Sequence, residues 1–285
     1  MKKLILLIAI STYMVAKINT VVSILPQKTF VEAIGGDKVN VSLMVQPGNS
    51  PHTYEPKPSQ MKDIAKADIY FSIGVEFDTV WIKKFQALNK TMKVVKLDSG
   101  IEKIEIEEHS HGEEEGHEGD DHSNHTLDPH VWTTPKNVKV IAKNIYNTLI
   151  ETDSANKEYY KKNYDKFLAE IEETDKKIND ILLALDDKAK FVVFHPSWGY
   201  FAKDYKLTQV AIESGGKNPK AKHLQKIIST IKNDYIEVVI TAPEFNDTTA
   251  KMIADATGIK VIKVSPLNPQ WSKNLINLSN AIAGK

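Results

Sequence analysis

Cysteine and arginine are both absent from this chain of 285 residues. Without cysteine there is no disulfide, no thiolate metal site, no cysteine nucleophile and no lipid anchor of the bacterial lipoprotein kind. The 37 basic residues are therefore all lysines, and 37 acidic residues balance their charge. Nucleic-acid and phosphate binders usually rely on arginine for bidentate contacts, so we expect no nucleic-acid partner.

The chain also lacks an apolar run long enough to cross a membrane. A short apolar run at residues 4–10 follows Lys2 and Lys3 at the N-terminus. This pattern predicts a signal peptide over residues 1–16. We therefore expect an exported protein that is soluble once the signal peptide is removed, and periplasmic if the host is a Gram-negative bacterium.

Histidine and acidic residues are concentrated in one stretch, where residues 107–130 read EEHSHGEEEGHEGDDHSNHTLDPH. No apolar residue occurs before Leu127, so the stretch has nothing to bury against the entropy cost of ordering. Imidazole and carboxylate are ligands that zinc, nickel and copper accept. We therefore predict a metal-binding loop over residues 104–127; a tolerated surface insertion that binds metal weakly is the alternative.

Short apolar runs alternate with helical patterns on both sides of this loop. The rhythm predicts two α/β lobes, at residues 17–152 and 188–285, each a mostly parallel sheet flanked by helices. Between them, residues 154–185 carry apolar side chains at three- and four-residue steps, which predicts one long linker helix within 153–187. A coiled coil is the alternative, but the polar Asp175 interrupts the apolar stripe.

Individual elements are predicted from the same patterns. Residues 18–25 are typical of a strand, and residues 29–34 of a helix that ends at a glycine pair. Ser59 is predicted to cap the next helix. Residues 196–205 are predicted to form a helix after the first strand of the second lobe.

Four histidines lie outside the loop, and three of them share a local setting. His52, His130 and His195 each adjoin a proline, which stiffens the backbone and lowers the entropy cost of fixing the ring. At least two of them follow predicted strands, where open α/β sheets place their ligands. Three neutral imidazoles with one oxygen suit Zn²⁺, although such a site can also be catalytic. His223 lies among lysines and is expected on the surface.

The motifs around these histidines resemble those of a known family. PHTYEP at residues 51–56, DPHVW at 128–132 and FHPSWGYF at 194–201 occur in that order, with the acidic histidine-rich loop before the second. They are similar to the periplasmic zinc-binding receptors of ABC importers, a family with manganese-binding relatives. The resemblance spans the whole mature chain and implies two Rossmann-like lobes, linked by one rigid helix, with the metal in the cleft between them.

The resemblance also implies the ligands and the role. His52 and His130 from the N-terminal lobe and His195 from the C-terminal lobe are expected to bind the metal. The chain would be a monomeric receptor and not an enzyme, capturing Zn²⁺ for the permease and ATPase of an ABC importer. A periplasmic metallochaperone is a further candidate partner.

The fourth ligand departs from the family pattern. Many relatives carry an aspartate where this chain has Ser265, and some zinc relatives carry a glutamate where it has Pro51. Water, Glu244 and a loop histidine remain candidates, in that order. A manganese or iron receptor of the same fold, a zinc hydrolase with three histidine ligands, and a surface adhesin or metal buffer are the alternative functions.

Other residues near the motifs have expected supporting roles. Asp128 and Glu55 could accept hydrogen bonds from ligand imidazoles and so orient them. Trp132, Trp198 and Tyr200 are expected to pack in the core of a lobe, with lining of the site as the alternative.

Overall fold

The computed structural model describes residues 17–106, 127–213 and 219–285. The predicted signal peptide and the five histidines of the loop before His130 lie outside the described residues. No helix in the described ranges is long and apolar enough to cross a membrane.

The first lobe is built on a four-stranded parallel sheet with the strand order β2-β1-β3-β4. Apolar strand residues such as Val21, Val22 and Phe71 are fully buried because helices cover both faces of the sheet. Its elements are β1 Ile18–Val22, α1 Leu25–Gly35, β2 Val39–Leu43, α2 Pro58–Lys66, β3 Ile69–Ser72, α3 Glu76–Leu88, β4 Lys93–Lys96 and α4 Pro135–Thr152.

A long helix, α5 Lys157–Leu182, follows the first lobe. Its 26 residues give a length of about 39 Å. One side packs on α1 and α4, and it also contacts the last helix of the second lobe. The predicted helix at 154–185 is therefore present but shorter, because residues Ser154–Asn156 form a 3₁₀ turn.

The second lobe repeats the first, with a four-stranded parallel sheet in the order β6-β5-β7-β8. The predicted fold class, two α/β lobes joined by a long helix, is confirmed. The elements of this lobe are β5 Lys190–Val193, α6 Gly199–Asp204, β6 Thr208–Ala211, α7 Ala221–Asn233, β7 Val238–Thr241, α8 Thr248–Thr257, β8 Lys260–Lys263 and α9 Trp271–Ile282.

The start of α1 differs from the prediction that a strand extends to residue 25. The strand ends at Val22, and the side-chain oxygen of Gln27 accepts hydrogen bonds from the backbone N–H groups of Ser23 and Ile24. Pro26 lies in the first turn, where its missing N–H costs nothing. The side chain of Gln27 thus stabilises the start of the helix. The apolar pattern of residues 18–25 gives no indication of this contact.

Two other predicted helix starts were also wrong. Ser59 does not cap α2, since Lys57 precedes the helix and its N–H donates to Oε1 of Gln60. Helix α6 begins at Gly199 and not at residue 196, and the N–H of the preceding residue, Trp198, donates to Oε1 of Gln209.

Two tryptophans connect the lobes through buried hydrogen bonds. Nε1 of Trp132 donates to the backbone oxygen of Pro266 at 2.7 Å, and Nε1 of Trp271 donates to the backbone oxygen of Trp132 at 2.8 Å. The ring of Trp271 also packs edge-on against Phe30 of the first lobe. The larger hydrophobic core is therefore continuous across the two lobes and α5.

Asp78 is a buried carboxylate beneath the turn from β3 to α3. It accepts hydrogen bonds from the hydroxyls of Ser23 and Tyr70, and from the backbone N–H groups of Ile73 and Gly74 at 2.8 and 2.9 Å. Burial raises the pKa of Asp78, and the hydrogen bonds oppose that rise. The network fixes the turn that leads into α3.

Replacing Asp78 by alanine should therefore lower the free energy of unfolding by about 3–5 kcal/mol, because buried donors lose their charged acceptor. Urea denaturation measures the loss. Asp63→Ala, at an exposed position on α2, is the matched control and should stay within about 0.5 kcal/mol of the wild type. Equal effects of the two substitutions would show that the network does not stabilise the fold.

Candidate metal centre

Three histidines converge in the cleft between the lobes. His52 follows β2, His130 precedes the 3₁₀ turn that leads to α4, and His195 follows β5. Their ring centroids are 5.2–6.5 Å apart, and one ligand atom from each lies within 4.8 Å of the others. Tetrahedral Zn²⁺ holds its nitrogen ligands roughly 3.3 Å apart, so ring shifts of about 1 Å would close the set around an ion.

Each of these rings has its Nδ1 atom against a carboxylate. A carboxylate can only accept, so Nδ1 donates and Nε2 keeps a free lone pair for a metal. A hydrogen bond to an anion also makes the imidazole a stronger ligand. The three pairs are His52–Glu76 at 3.1 Å, His130–Asp128 at 2.7 Å and His195–Glu213 at 3.2 Å.

Only one of the three carboxylates was expected from the sequence. Asp128 has the orienting role predicted for it, whereas Glu55 is exposed and the carboxylate at His52 is Glu76. Glu76 begins α3 just after β3, and Glu213 follows β6. Both therefore obey the same strand-end rule that selected the histidines, and that rule applied to acidic residues could have found them.

His195 is the ligand candidate whose environment most clearly implies a missing partner. Burial lowers its pKa, an effect that the hydrogen bond from Nδ1 to the carboxylate of Glu213 partly opposes. Its Nε2 atom is buried and has no hydrogen-bond partner among the described residues. The ring of Phe245 stacks on the imidazole with centroids 4.5 Å apart. A buried nitrogen lone pair held in this way is suited to bind an ion.

The pocket bounded by the histidines is small. Its volume is about 20 Å³, which is space for one small ion or one water molecule. Trp132 lines it, whereas Trp198 and Tyr200 are buried in the core, as expected for those two. The other lining residues are mostly apolar: Pro51, Val75, Pro129, Glu244, Phe245, Pro266 and Leu267.

Glu244 is the acidic residue that lines this pocket. Its Oε1 atom accepts a hydrogen bond from the hydroxyl of Ser265 at 2.6 Å. Its Oε2 atom is buried and has no hydrogen-bond partner among the described residues. Ser265 thus holds the carboxylate of Glu244 at the pocket.

His223 differs from its prediction as a solvated residue. It is half-buried, and its Nε2 atom lies 3.2 Å from the backbone oxygen of Ala211, close enough to donate a hydrogen bond. It lies outside the group of three converging histidines.

Two lobes fixed by a long helix, with histidines from both lobes meeting in the cleft, define a metal-binding solute receptor. The chain belongs to the family described as zinc-uptake complex component A, periplasmic, whose profile matches residues 20–282.

Curated relatives that the chain matches are also named for zinc. The chain is 31% identical to the high-affinity zinc uptake system protein ZnuA of Bacillus subtilis over 252 residues, covering 86% of this chain and 76% of that protein. It is 28% identical to the zinc-binding protein AdcA of Streptococcus pyogenes over 272 residues, covering 91% of this chain and 52% of AdcA. The chain therefore spans about half the length of AdcA.

Solved structures extend the similarity to the whole fold. A crystal structure of ZnuA matches with a TM-score of 0.85 and 38% identity, covering 94% of this chain and 98% of that one. The laminin-binding protein Lmb of Streptococcus agalactiae matches with a TM-score of 0.79 and 23% identity, covering 94% of this chain and 98% of that one. At that identity, Lmb supports the fold alone.

The lowered pKa of His195 predicts how the stability of the metal-free protein depends on pH. Below about pH 6.5, the pKa of an unfolded histidine, the unfolded chain binds a proton that folded His195 resists. This contribution to stability is therefore complete above that pH and is lost as the pH falls toward the lower, folded pKa. Denaturation in chelator between about pH 8 and pH 5 should show a smaller acid loss for His195→Gln than for the wild type. Parallel losses would contradict the assignment.

Proposed function

We propose that this protein is an extracytoplasmic zinc receptor that binds Zn²⁺ through His52, His130 and His195 and delivers it to the permease of an ABC importer. The convergence of these three side chains from two lobes, each with Nδ1 against a carboxylate, carries the proposal. Three neutral imidazoles and one further position are a donor set suited to Zn²⁺. The names of the zinc-binding relatives support the same cargo.

A receptor role fits the pocket better than hydrolysis does. A zinc hydrolase must place an organic substrate beside the metal, and a pocket of about 20 Å³ has no space for one.

The domain and partner assignments complete the proposal. Residues 1–16 would direct export, residues 17–152 and 188–285 would form the two lobes, and residues 153–187 would link them. The permease and its ATPase are the partners that an uptake system requires, and the receptor would act as a soluble periplasmic monomer. One relative, AdcA of Streptococcus pneumoniae, is named as a lipoprotein.

His52 is the ligand through which the ion would enter. Its side chain is 34% exposed, compared with 7% for His130 and 11% for His195. It lies in a turn and not in a strand or helix, so it can move at low cost. The other two histidines would remain in place while His52 closes on the ion.

The histidine-rich loop would collect metal for the cleft and is not the main site. Its histidines must be neutral to bind, so its capacity should fall as the pH drops through roughly 6 to 7. In the sequence, the loop directly precedes His130.

The proposal predicts one tight zinc site that depends on the three histidines. His52→Ala, His130→Ala and His195→Ala should each weaken zinc binding by more than about 100-fold, since even loss of an orienting partner costs 10–100-fold. His223→Ala is the matched control and should stay within about twofold of the wild type. Competition with a chelator of known affinity measures each variant.

Deletion of residues 107–125 separates the cleft from the loop. The deleted protein should keep its tight site and lose only additional, weaker equivalents of zinc. Tight binding that disappears with the loop but survives His195→Ala would refute the proposed function.

A manganese receptor is the second candidate, and Glu244 is the observation that favours it. Mn²⁺ prefers carboxylate oxygen, whereas Zn²⁺ accepts imidazole readily. The Oε2 atom of Glu244, buried and without a hydrogen-bond partner in the part of the chain that the structure describes, would offer a hard anionic oxygen at the fourth position. Three imidazoles against one carboxylate still favour zinc.

Glu244→Gln tests how much that oxygen contributes. It should weaken zinc binding by about 10–100-fold and manganese binding by more, because Mn²⁺ depends more on the anion. Glu237→Gln, an exposed substitution just before β7 at the opposite end of that strand, is the matched control. Unchanged affinity for both metals would exclude Glu244 as the fourth ligand and leave water or a loop histidine, and Mn²⁺ displacing Zn²⁺ from the wild type would reverse the choice of cargo.

A further inference from the structure

We propose that Tyr200 is a positioning residue for the metal centre, holding His130 of the first lobe in place from the second lobe through Asp128. This inference rests on the proposed function, because it concerns the geometry of one of the three ligand histidines.

The hydroxyl of Tyr200 uses both of its hydrogen-bonding directions across the cleft. It donates to the backbone oxygen of Asp128 at 2.9 Å and accepts from the backbone N–H of Ile104 at 3.3 Å. Tyr200 belongs to α6 of the second lobe and is 3% exposed, whereas both partners belong to the first lobe. Burial raises the pKa of Tyr200, so its hydroxyl keeps the proton that it donates.

Asp128 passes this restraint on to the ligand. One carboxylate oxygen of Asp128 accepts both the backbone N–H of His130 at 2.8 Å and Nδ1 of its ring at 2.7 Å. The backbone N–H of Asp128 donates to the oxygen of Ile104 at 2.8 Å. The backbone oxygen and N–H of Asp128 are therefore both hydrogen-bonded, and its carboxylate is bonded to His130. These contacts fix the carboxylate, which in turn holds the imidazole in one orientation.

Gly199 brings the second lobe close to the same carboxylate. A Cβ atom at this position would lie 2.7 Å from Oδ2 of Asp128 and 3.3 Å from Cδ1 of Ile104. Ordinary contacts are longer, so any larger residue would displace the carboxylate. Two consecutive residues, Gly199 and Tyr200, thus shape the environment of Asp128 from the opposite lobe.

The arrangement links the two halves of the metal centre. Tyr200 lies five residues after His195. Separation of the lobes would therefore move His195 away from the metal and break the hydrogen bonds of Tyr200 that restrain His130 through Asp128. Ile104 and Asp128 also flank the base of the histidine-rich loop, where Glu105 and Leu127 form an antiparallel bridge. The Tyr200 hydroxyl is therefore hydrogen-bonded to both chain segments at the base of the loop, next to the metal centre.

Tyr200→Phe removes the hydroxyl and keeps the ring. The matched control is Tyr160→Phe, since Tyr160 is fully buried and donates to Oδ2 of Asp153 at 2.8 Å, near the start of α5. Both variants should lose thermal stability. Only Tyr200→Phe should weaken zinc binding, by about 10-fold, with most of the change in the rate of zinc release to a chelator.

Two further variants test whether Tyr200 acts through Asp128. Gly199→Ala leaves the hydroxyl intact but displaces the carboxylate, and it should also weaken zinc binding by about 10-fold. In an Asp128→Ala background, Tyr200→Phe should add less than about a twofold loss, because the restraint has no carboxylate left to position.

The outcomes separate this inference from the proposed function. Zinc affinity equal to the wild type in both Tyr200→Phe and Gly199→Ala, with His195→Ala still abolishing tight binding, would overturn the inference alone. So would an undiminished effect of Tyr200→Phe in the Asp128→Ala background. Tight binding that survives His195→Ala would instead overturn the proposed function.

Discussion

The hydrogen bond between a carboxylate and Nδ1 is the interaction on which the whole cleft depends. It is repeated at His52, His130 and His195, and in each case it fixes both the tautomer and the direction of the free lone pair. The fold positions two of the three carboxylates. Glu76 is the first residue of α3 and Glu213 follows β6, and the two sheets determine where these elements lie. Without these bonds, three mobile rings would lose entropy whenever an ion bound.

The sequence was sufficient to find the three converging histidines but not all of their partners. The proline beside each histidine is a local signal, and so is the predicted strand that precedes at least two of the three. Which acid faces His52 or His195 depends instead on strand order, since Glu213 reaches His195 only because β6 lies beside β5. The start of α1 was missed for a similar reason, because the side chain of Gln27 determines it. Alternation and periodicity carry no information about either contact.

The two lobes have the same strand order but carry different residues after corresponding strands. His52 follows the second strand of its sheet and is a candidate ligand, whereas Glu213 follows the second strand of the other sheet and supports one. His195 follows the first strand of its lobe, whereas the residue after the first strand of the other lobe is Ser23, which is buried and donates to Asp78. The repeated fold therefore brings strand ends to the cleft. The residue at each strand end determines whether it is a candidate ligand, orients one or packs in the core.

The connections between the lobes limit how the cleft can open. Helix α5 packs against both lobes, and Trp132 and Trp271 join them through buried hydrogen bonds that would be lost on wide separation. A large hinge motion would break these contacts and expose a continuous core. Local movement at the exposed turn of His52 breaks none of them, so capture of an ion through that turn costs far less than opening the whole cleft.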